Sequence, residues 1–205
     1  MNDALAHRGP DAEGIWAIGR AVLGHRRLSI VDLSVAANQP LLNEDGSIGV
    51  VVNGEIYNFE SIRDELRAKG HVFKSDSDSE VVVHGYEEYG DAIIAKLAGM
   101  YAIALWDSRR ERLLLARDRA GKKPLLYRRF ADGGVAFASE IQAIAQGFPG
   151  ALLTPSLSAI DEYLTLQYVP TPRTVYKEIF KLPAASIAVF EKNASGHYGE
   201  PRVEA

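Results

Sequence analysis

The first residue suited to ligand chemistry is an arginine at the end of a strand-like run. Arg27 opens the segment 27–32 (Arg-Leu-Ser-Ile-Val-Asp), and a guanidinium in this position can hold a carboxylate through two parallel hydrogen bonds. A surface ion pair with Asp32 or another acidic residue is the simpler interpretation of the same residues. The segment therefore predicts either an anion-binding arginine or a surface ion pair.

A second motif, Asn53-Gly54, combines a side-chain amide with a glycine N–H. Two such donors side by side are suited to stabilising an oxyanion, and glycine lets the backbone approach a ligand closely. The same dipeptide is also a common hairpin turn, and Asn58 after it is a candidate helix cap. The motif alone leaves both interpretations open.

The segment 76–80 (Asp-Ser-Asp-Ser-Glu) alternates acidic and hydroxyl side chains. It begins like a calcium loop but lacks the central glycine and distal glutamate of that pattern. A capping box accounts for Ser77 and Glu80 and predicts a helix starting near Ser77. Asp78 then remains available to meet an ammonium group.

Other polar residues carry weaker signals. The histidines show no metal-ligand spacing, so we predict structural or exposed roles and no metal site: His7, His25, His71, His84 and His197. A basic loop formed by Arg117, Arg119, Lys122 and Lys123, with Asp118 inside it, is interpreted mainly as solvated and near an interface. The sequence contains 0 cysteines, which excludes disulfides, cysteine-based zinc sites and thiol catalysis by these 205 residues.

Composition narrows the function class. The formal net charge is −4, from 23 basic and 27 acidic side chains, which argues against a nucleic-acid partner. Residues 1–7 lack a signal-like apolar run, and no run is long enough to span a bilayer. We therefore expect no membrane association and a cytoplasmic location.

The periodicity of the chain predicts the elements that position these motifs. Residues 1–8 resemble the end of a helix, 14–31 two strands around Gly19, 48–52 a strand, and 59–69 a helix ended by Gly70. Residues 99–107 are apolar at both alternations, so this strand should lie between two layers. Further strands are expected at 113–116, 124–128 and 135–138, and Ser139 to Gln142 fits a second capping box.

Together, these helices and strands predict an α+β fold, a four-layer αββα sandwich of two mostly antiparallel sheets. The sequence pattern changes near residue 150. There Thr154-Pro155 predicts a helix start, followed by strand-like runs at 174–180 and 186–190 and a polar tail. We assign 1–150 to the main domain and 151–205 to a linker and the beginning of another.

Taken together, the ordered motifs over residues 7–183 resemble glutamine-hydrolysing asparagine synthetases, which are class II glutamine amidotransferases. The matching segments are 7–11 (His-Arg-Gly-Pro-Asp), 27–32, 53–58 (Asn-Gly-Glu-Ile-Tyr-Asn), 77–80, 99–101, 117–119, 123–125, 168–174 and 181–183.

The resemblance implies an N-terminal-nucleophile hydrolase fold that binds glutamine. Arg27, aided by the backbone of Ile30 and Val31, would bind the α-carboxylate of glutamine. Glu55 and Asp78 would hold the α-ammonium, and Asn53 with the Gly54 N–H would stabilise the oxyanion. In the full enzyme, ammonia from glutamine would be transferred to aspartate activated by ATP.

The chain departs from the family pattern in three places. The family's nucleophile is a cysteine at the mature N-terminus, and the sequence has none. The family's opening strand and the pyrophosphate loop of its synthetase domain are also absent, so we expect truncation at both ends and an inactive chain. A missing central strand predicts aggregation or marginal stability.

The expected partners are glutamine, a C-terminal synthetase domain and a second copy in a homo-oligomer. No cofactor is expected in this chain, with ATP and magnesium confined to the synthetase domain. The alternatives are a non-catalytic module that binds glutamine or a partner, and the glutaminase domain of a related amidotransferase with another acceptor.

Overall fold

The computed structural model describes residues 1–30, 32–192, 198 and 201–204. Its strands are β1 (Ala12–Ile18), β2 (Ala21–Arg27), β3 (Leu41–Leu42), β4 (Ile48–Ile56), β5 (Gly99–Asp107), β6 (Arg112–Arg117), β7 (Leu126–Arg129), β8 (Val135–Ala138), β9 (Ile179–Lys181), β10 (Ile187–Phe190) and β11 (Arg202–Glu204). Its α-helices are α1 (Phe59–Ala68), α2 (Glu80–Tyr89), α3 (Ala92–Lys96), α4 (Ile141–Gly147) and α5 (Leu157–Leu166). Short 3-10 helices cover Asp3–Leu5 and Val35–Ala37.

A six-stranded antiparallel sheet of order β11-β10-β6-β5-β4-β3 forms the centre of the molecule. Successive side chains of a strand point to opposite faces, and β5 uses this alternation to bury both. Tyr101 and Ile103 pack in the core with residues of α1, α2 and α3, while Ala102 and Trp106 pack in a second core. The predicted strand with two apolar faces is confirmed.

Two smaller antiparallel sheets, β1-β2 and β8-β7-β9, pack on the second face of the central sheet. Helix α4 packs outside the β8-β7-β9 sheet through Ala143 and Ile144. The layers are thus helices, central sheet, two smaller sheets and helix, which confirms the predicted αββα sandwich. In the part of the chain described here, β2 pairs only with β1 and β8 only with β7.

The Asn53-Gly54 dipeptide is not a turn. Strand β4 continues through it, with Gly54 opposite Tyr101 of β5. Gly54 has φ +155, and a Cβ added there would lie 2.0 Å from the Met100 carbonyl oxygen. The hairpin interpretation was wrong because glycine here allows close approach to a neighbouring strand.

Three helix predictions differ from the structure. Residues 1–8 contain only the 3-10 helix Asp3–Leu5, and α4 begins at Ile141 without a side-chain cap. The cap of α5 is Ser156, which accepts a hydrogen bond from the Ala159 N–H, rather than Thr154. Pro155 instead forms an isolated β-bridge with Tyr176. The backbone that the prediction assigned to the first turn of the helix is therefore paired with another segment.

The capping box at Ser77 does not form. The Glu80 carboxylate accepts hydrogen bonds from the N–H groups of Lys74 and Ser75, each at 2.8 Å, instead of reaching Ser77. Ser77 Oγ accepts the Ser79 N–H at 3.2 Å. Glu80 therefore fixes the loop before α2 rather than the first turn itself.

Residues beyond 150 join the earlier sheets. Strand β9 pairs with β7, and β10 pairs with β6 inside the central sheet. These strands fall at the ends of the predicted runs 174–180 and 186–190, and most of the polar tail lies outside the described residues. The division at residue 150 stays a prediction. None of the described helices has the length and apolarity that crossing a bilayer requires.

Candidate ligand site

A cavity of about 690 Å³ is lined by the central sheet, β2, β8 and the loop before α2. Seven residues are predicted from the sequence to bind a ligand, and the fold brings the six that are described to this one cavity: Arg27, Ile30, Asn53, Gly54, Glu55 and Asp78. Val31 lies outside the described residues. Residues from three separate motifs thus share one concave surface.

Arg27 lies at the end of β2 and is 7% exposed. Its guanidinium donates to the Ser34 carbonyl at 2.9 Å, to Asn38 Oδ1 at 2.7 Å and to the Asp32 carbonyl. The Asp32 carboxylate accepts the N–H groups of Ser34 and Asp76. Carbonyl groups therefore orient the Arg27 guanidinium in the cavity wall, away from the exposed surface that a surface ion pair would occupy.

Asn53 presents a donor that has no acceptor. Its Nδ2 atom is buried and makes no hydrogen bond to any described residue. An unsatisfied buried donor costs about 1–3 kcal/mol, so an acceptor atom of a ligand would be stabilised there. Val52, the residue before Asn53, is held in place by Gln39. The side-chain amide of Gln39 accepts the Val52 N–H at 2.6 Å and donates to the Val52 carbonyl at 3.0 Å.

Two carboxylates supply the negative charge of the cavity. Asp78 is 6% exposed and accepts the Ile56 N–H at 2.7 Å. This bond ties the loop before α2 to the end of β4, the strand that carries Asn53 and Glu55. Strand β4 thus carries Glu55 and, through the Ile56 N–H, holds Asp78 beside the same cavity.

His25 also lines the cavity and was not among the predicted site residues. Burial is the main cause that lowers the pKa of His25 from 6.5 to about 4, and the charge of Arg27 also lowers it. A backbone hydrogen bond to Val52 opposes this shift by raising the pKa. The imidazole is therefore neutral at pH 7. Strand alternation could have found it, since residues 23, 25 and 27 share one face of β2.

A buried carboxylate holds the basic loop 117–123 in place. Asp118 is 1% exposed and accepts the N–H groups of Tyr101, Ala120, Lys122 and Lys123. Burial would raise the pKa of Asp118, but the bonds from Lys122, Lys123, Ala120 and Tyr101 lower it below its ordinary value. The solvated-loop interpretation was wrong for Asp118, because its backbone donors compensate its burial.

The geometry suits a small zwitterion. The cavity wall offers the Arg27 cation, the Glu55 and Asp78 anions and unpaired donor capacity at Asn53. These are the groups that a free amino acid with a side-chain amide requires. A thiol nucleophile is not among them, because the sequence has no cysteine.

The sequence of this chain is similar to those of several known proteins. The family model described as "Glutamine amidotransferase domain" matches residues 1–198. Asparagine synthetase [glutamine-hydrolyzing] 2 of Bacillus subtilis is 46% identical over 144 residues, covering 70% of this chain and 19% of that protein. Asparagine synthetase [glutamine-hydrolyzing] 1 of the same organism is 38% identical over 188 residues, covering 91% of this chain and 29% of that protein. Asparagine synthetase [glutamine-hydrolyzing] 3 of Arabidopsis thaliana is 45% identical over 145 residues, covering 71% of this chain and 25% of that protein.

A solved structure supports the fold. The glutamine phosphoribosylpyrophosphate amidotransferase of B. subtilis superposes with a TM-score of 0.59 at 21% identity, covering 91% of this chain and 35% of that one. This likeness concerns architecture alone. The chain spans 19% to 29% of the length of the three curated relatives above. On the family match, the chain belongs to the glutamine amidotransferase domain family.

Proposed function

We propose that this chain is the glutamine-binding part of a glutamine-hydrolysing asparagine synthetase. The observation that carries the proposal is the convergence of Arg27, Asn53, Glu55 and Asp78 on one cavity in which Asn53 Nδ2 has no acceptor among the described residues. Relatives named as asparagine synthetases support this choice over other amidotransferases.

Each of these residues would bind a different group of glutamine. Arg27 would bind the α-carboxylate, with backbone groups of Ile30 and Val31 beside it. Glu55 and Asp78 would bind the α-ammonium. Asn53 Nδ2 and the Gly54 N–H would donate to the amide oxygen of glutamine and to the oxyanion formed when that amide is attacked.

Hydrolysis needs a nucleophile that these 205 residues do not supply. We therefore expect this chain by itself to bind glutamine without releasing ammonia. In the whole protein, ammonia would pass to aspartate activated by ATP and magnesium in a C-terminal synthetase domain. A cytoplasmic location and homo-oligomerisation are parts of the same proposal.

Calorimetry with glutamine tests the site. Arg27→Ala and Asp78→Asn should each weaken glutamine binding about tenfold or more, because each removes a charge-assisted hydrogen bond worth about 1.5–3 kcal/mol. Arg109→Ala is the matched control, since the Arg109 side chain is 58% exposed and pairs with Asp45 on the surface.

A ligand variant sharpens this experiment. The methyl ester of glutamine lacks the α-carboxylate, so its affinity should be the same for the wild type and for Arg27→Ala. A folded wild-type chain that binds no glutamine would refute the proposed site. Glutamine binding that is unchanged in Arg27→Ala would refute the assigned role of Arg27.

A further inference from the structure

A second group of polar side chains lies apart from the cavity. Glu44 lies between β3 and β4, His71 follows α1, and His84 and Glu87 lie in α2. One nitrogen or carboxylate oxygen from each lies within 4.8 Å of the others. We refer to these four residues as the histidine–glutamate cluster.

Two distances within the cluster match those between ligands of a tetrahedral metal ion. Glu44 Oε1 is 3.3 Å from Nδ1 of His71 and 3.3 Å from Nδ1 of His84. Nitrogen and oxygen ligands bound to Zn²⁺ at about 2.0–2.1 Å in tetrahedral geometry lie about 3.3–3.4 Å from one another. A strong N–H···O hydrogen bond would instead bring the two atoms to about 2.9 Å.

The cluster also contains buried atoms without partners. His84 is 0% exposed, and neither of its ring nitrogens makes a hydrogen bond within the described chain. Glu87 Oε2 is likewise buried and unsatisfied, although Glu87 Oε1 accepts from Asn43 at 3.1 Å. A cation at the centre would satisfy His84 Nδ1 and Glu87 Oε2 and neutralise the paired carboxylates.

The opposite nitrogens of the two imidazoles face carboxylates. His84 Nε2 is 3.5 Å from Glu80 Oε1, and His71 Nε2 is 3.6 Å from Glu88 Oε2. A carboxylate behind a metal-binding imidazole fixes the ring orientation and increases its basicity. Both histidines therefore have one nitrogen toward Glu44 and the other toward such a carboxylate.

From this geometry we propose that Glu44, His71, His84 and Glu87 bind one Zn²⁺ ion. Two imidazoles and two carboxylates suit Zn²⁺, whereas Mg²⁺ and Ca²⁺ prefer oxygen ligands only. The ion would join the segment between β3 and β4, the loop after α1 and helix α2. This role is structural and does not depend on glutamine binding.

The bound ion would also steady one wall of the cavity. Glu80, behind His84, accepts the N–H groups of Lys74 and Ser75. These residues belong to the loop that continues to Asp78, which lines the cavity. Metal binding would thus order the loop from the side opposite the ligand.

Metal binding to the 205-residue chain tests the proposal. After removal of metal with EDTA, Zn²⁺ should bind with a stoichiometry of one by calorimetry, and Co²⁺ should give the intense visible absorption of a tetrahedral complex. His71→Ala and Glu87→Gln should each weaken Zn²⁺ binding about tenfold or more. The matched controls are His7→Ala, whose side chain is 62% exposed, and Glu65→Gln, whose side chain is 44% exposed.

Circular dichroism checks that each variant is folded, and the Co²⁺ spectrum reports coordination independently of stability. Folded wild-type chain that takes up no Zn²⁺ overturns the proposal. So does Zn²⁺ affinity that is unchanged in both His71→Ala and Glu87→Gln, or binding of Mg²⁺ as tight as that of Zn²⁺.

Discussion

The cavity and the histidine–glutamate cluster place polar groups in opposite ways, although the connection between α1 and α2 contributes Asp78 to the first and His71 to the second. In the cavity, charged groups are spread around about 690 Å³ and are held by backbone hydrogen bonds. In the cluster, four side chains converge until their ligand atoms lie within 4.8 Å. The first arrangement suits an organic molecule with separated charges, and the second suits a single ion.

The difference has a structural origin. The cavity is built on strands, whose backbone fixes where Arg27, Asn53 and Glu55 lie. The cluster depends on side chains that reach one another from a helix and two loops. We therefore expect backbone changes to disrupt the cavity most strongly and side-chain or solution changes to disrupt the cluster most strongly.

The largest expected effect comes from adding a methyl group to the backbone of the cavity. Gly54→Ala places a Cβ 2.0 Å from the Met100 carbonyl oxygen at φ +155, where β4 pairs with β5 in the central sheet. We expect the free energy of unfolding to fall by about 4 kcal/mol. Urea denaturation measures this change.

Gly150→Ala is the matched control for that substitution, because an added Cβ there meets nothing within 4 Å. Its effect should be within about 0.5 kcal/mol of zero. Equal destabilisation by the two substitutions would show that the close approach at Gly54 does not constrain the cavity wall.

The next effect is a pH dependence from the cavity histidine. The pKa of His25 is lowered from 6.5 to about 4 by burial, so the unfolded chain takes up this proton first as the pH falls. The stability contributed by neutral His25 is fully present above pH 6.5 and is lost toward pH 4, amounting to about 3 kcal/mol. Denaturation between pH 7 and 4.5, with EDTA present, should show a smaller loss of stability in His25→Gln.

His7→Gln controls for the removal of a histidine as such. The His7 side chain is 62% exposed, so this variant should follow the wild-type dependence of stability on pH. If His25→Gln follows the wild type as well, the burial of His25 does not contribute to the pH dependence.

The smallest expected effect concerns the open edges of the two smaller sheets. Among the described strands, β2 and β8 each lack a partner on one side, and both line the cavity. Unpaired strand edges favour pairing between chains, so we expect the chain to self-associate. Val22→Lys, at an exposed position of β2, should weaken association about tenfold, or about 1.4 kcal/mol.

Analytical ultracentrifugation measures this association. Ile160→Lys on α5 is the control, since it adds the same charge away from both edges. A wild-type chain that remains monomeric and melts in one sharp transition would contradict the expectation.

Much of the fold follows from local pattern. Alternation over Gly99–Asp107 predicted a strand buried on both faces, which required layers on either side. The boundaries of helices were less accurate, because tertiary bonds replaced the predicted caps. Glu80 turned from Ser77 toward the loop at Lys74 and Ser75, where more backbone donors needed an acceptor.

The sequence by itself determined the chemistry of the cavity, because residue types fix which groups can bind a zwitterion and the absence of cysteine fixes what the chain cannot do. It also determined the layered architecture, since period-2 alternation specifies which faces are buried. Only the tertiary structure decided that Asn53-Gly54 is part of a strand, that His25 belongs to the cavity and that His71 and His84 meet Glu44 and Glu87. Those outcomes depend on contacts between segments far apart in the chain. Local spacing places His25 on the same face of β2 as Arg27, but it does not specify which segments meet.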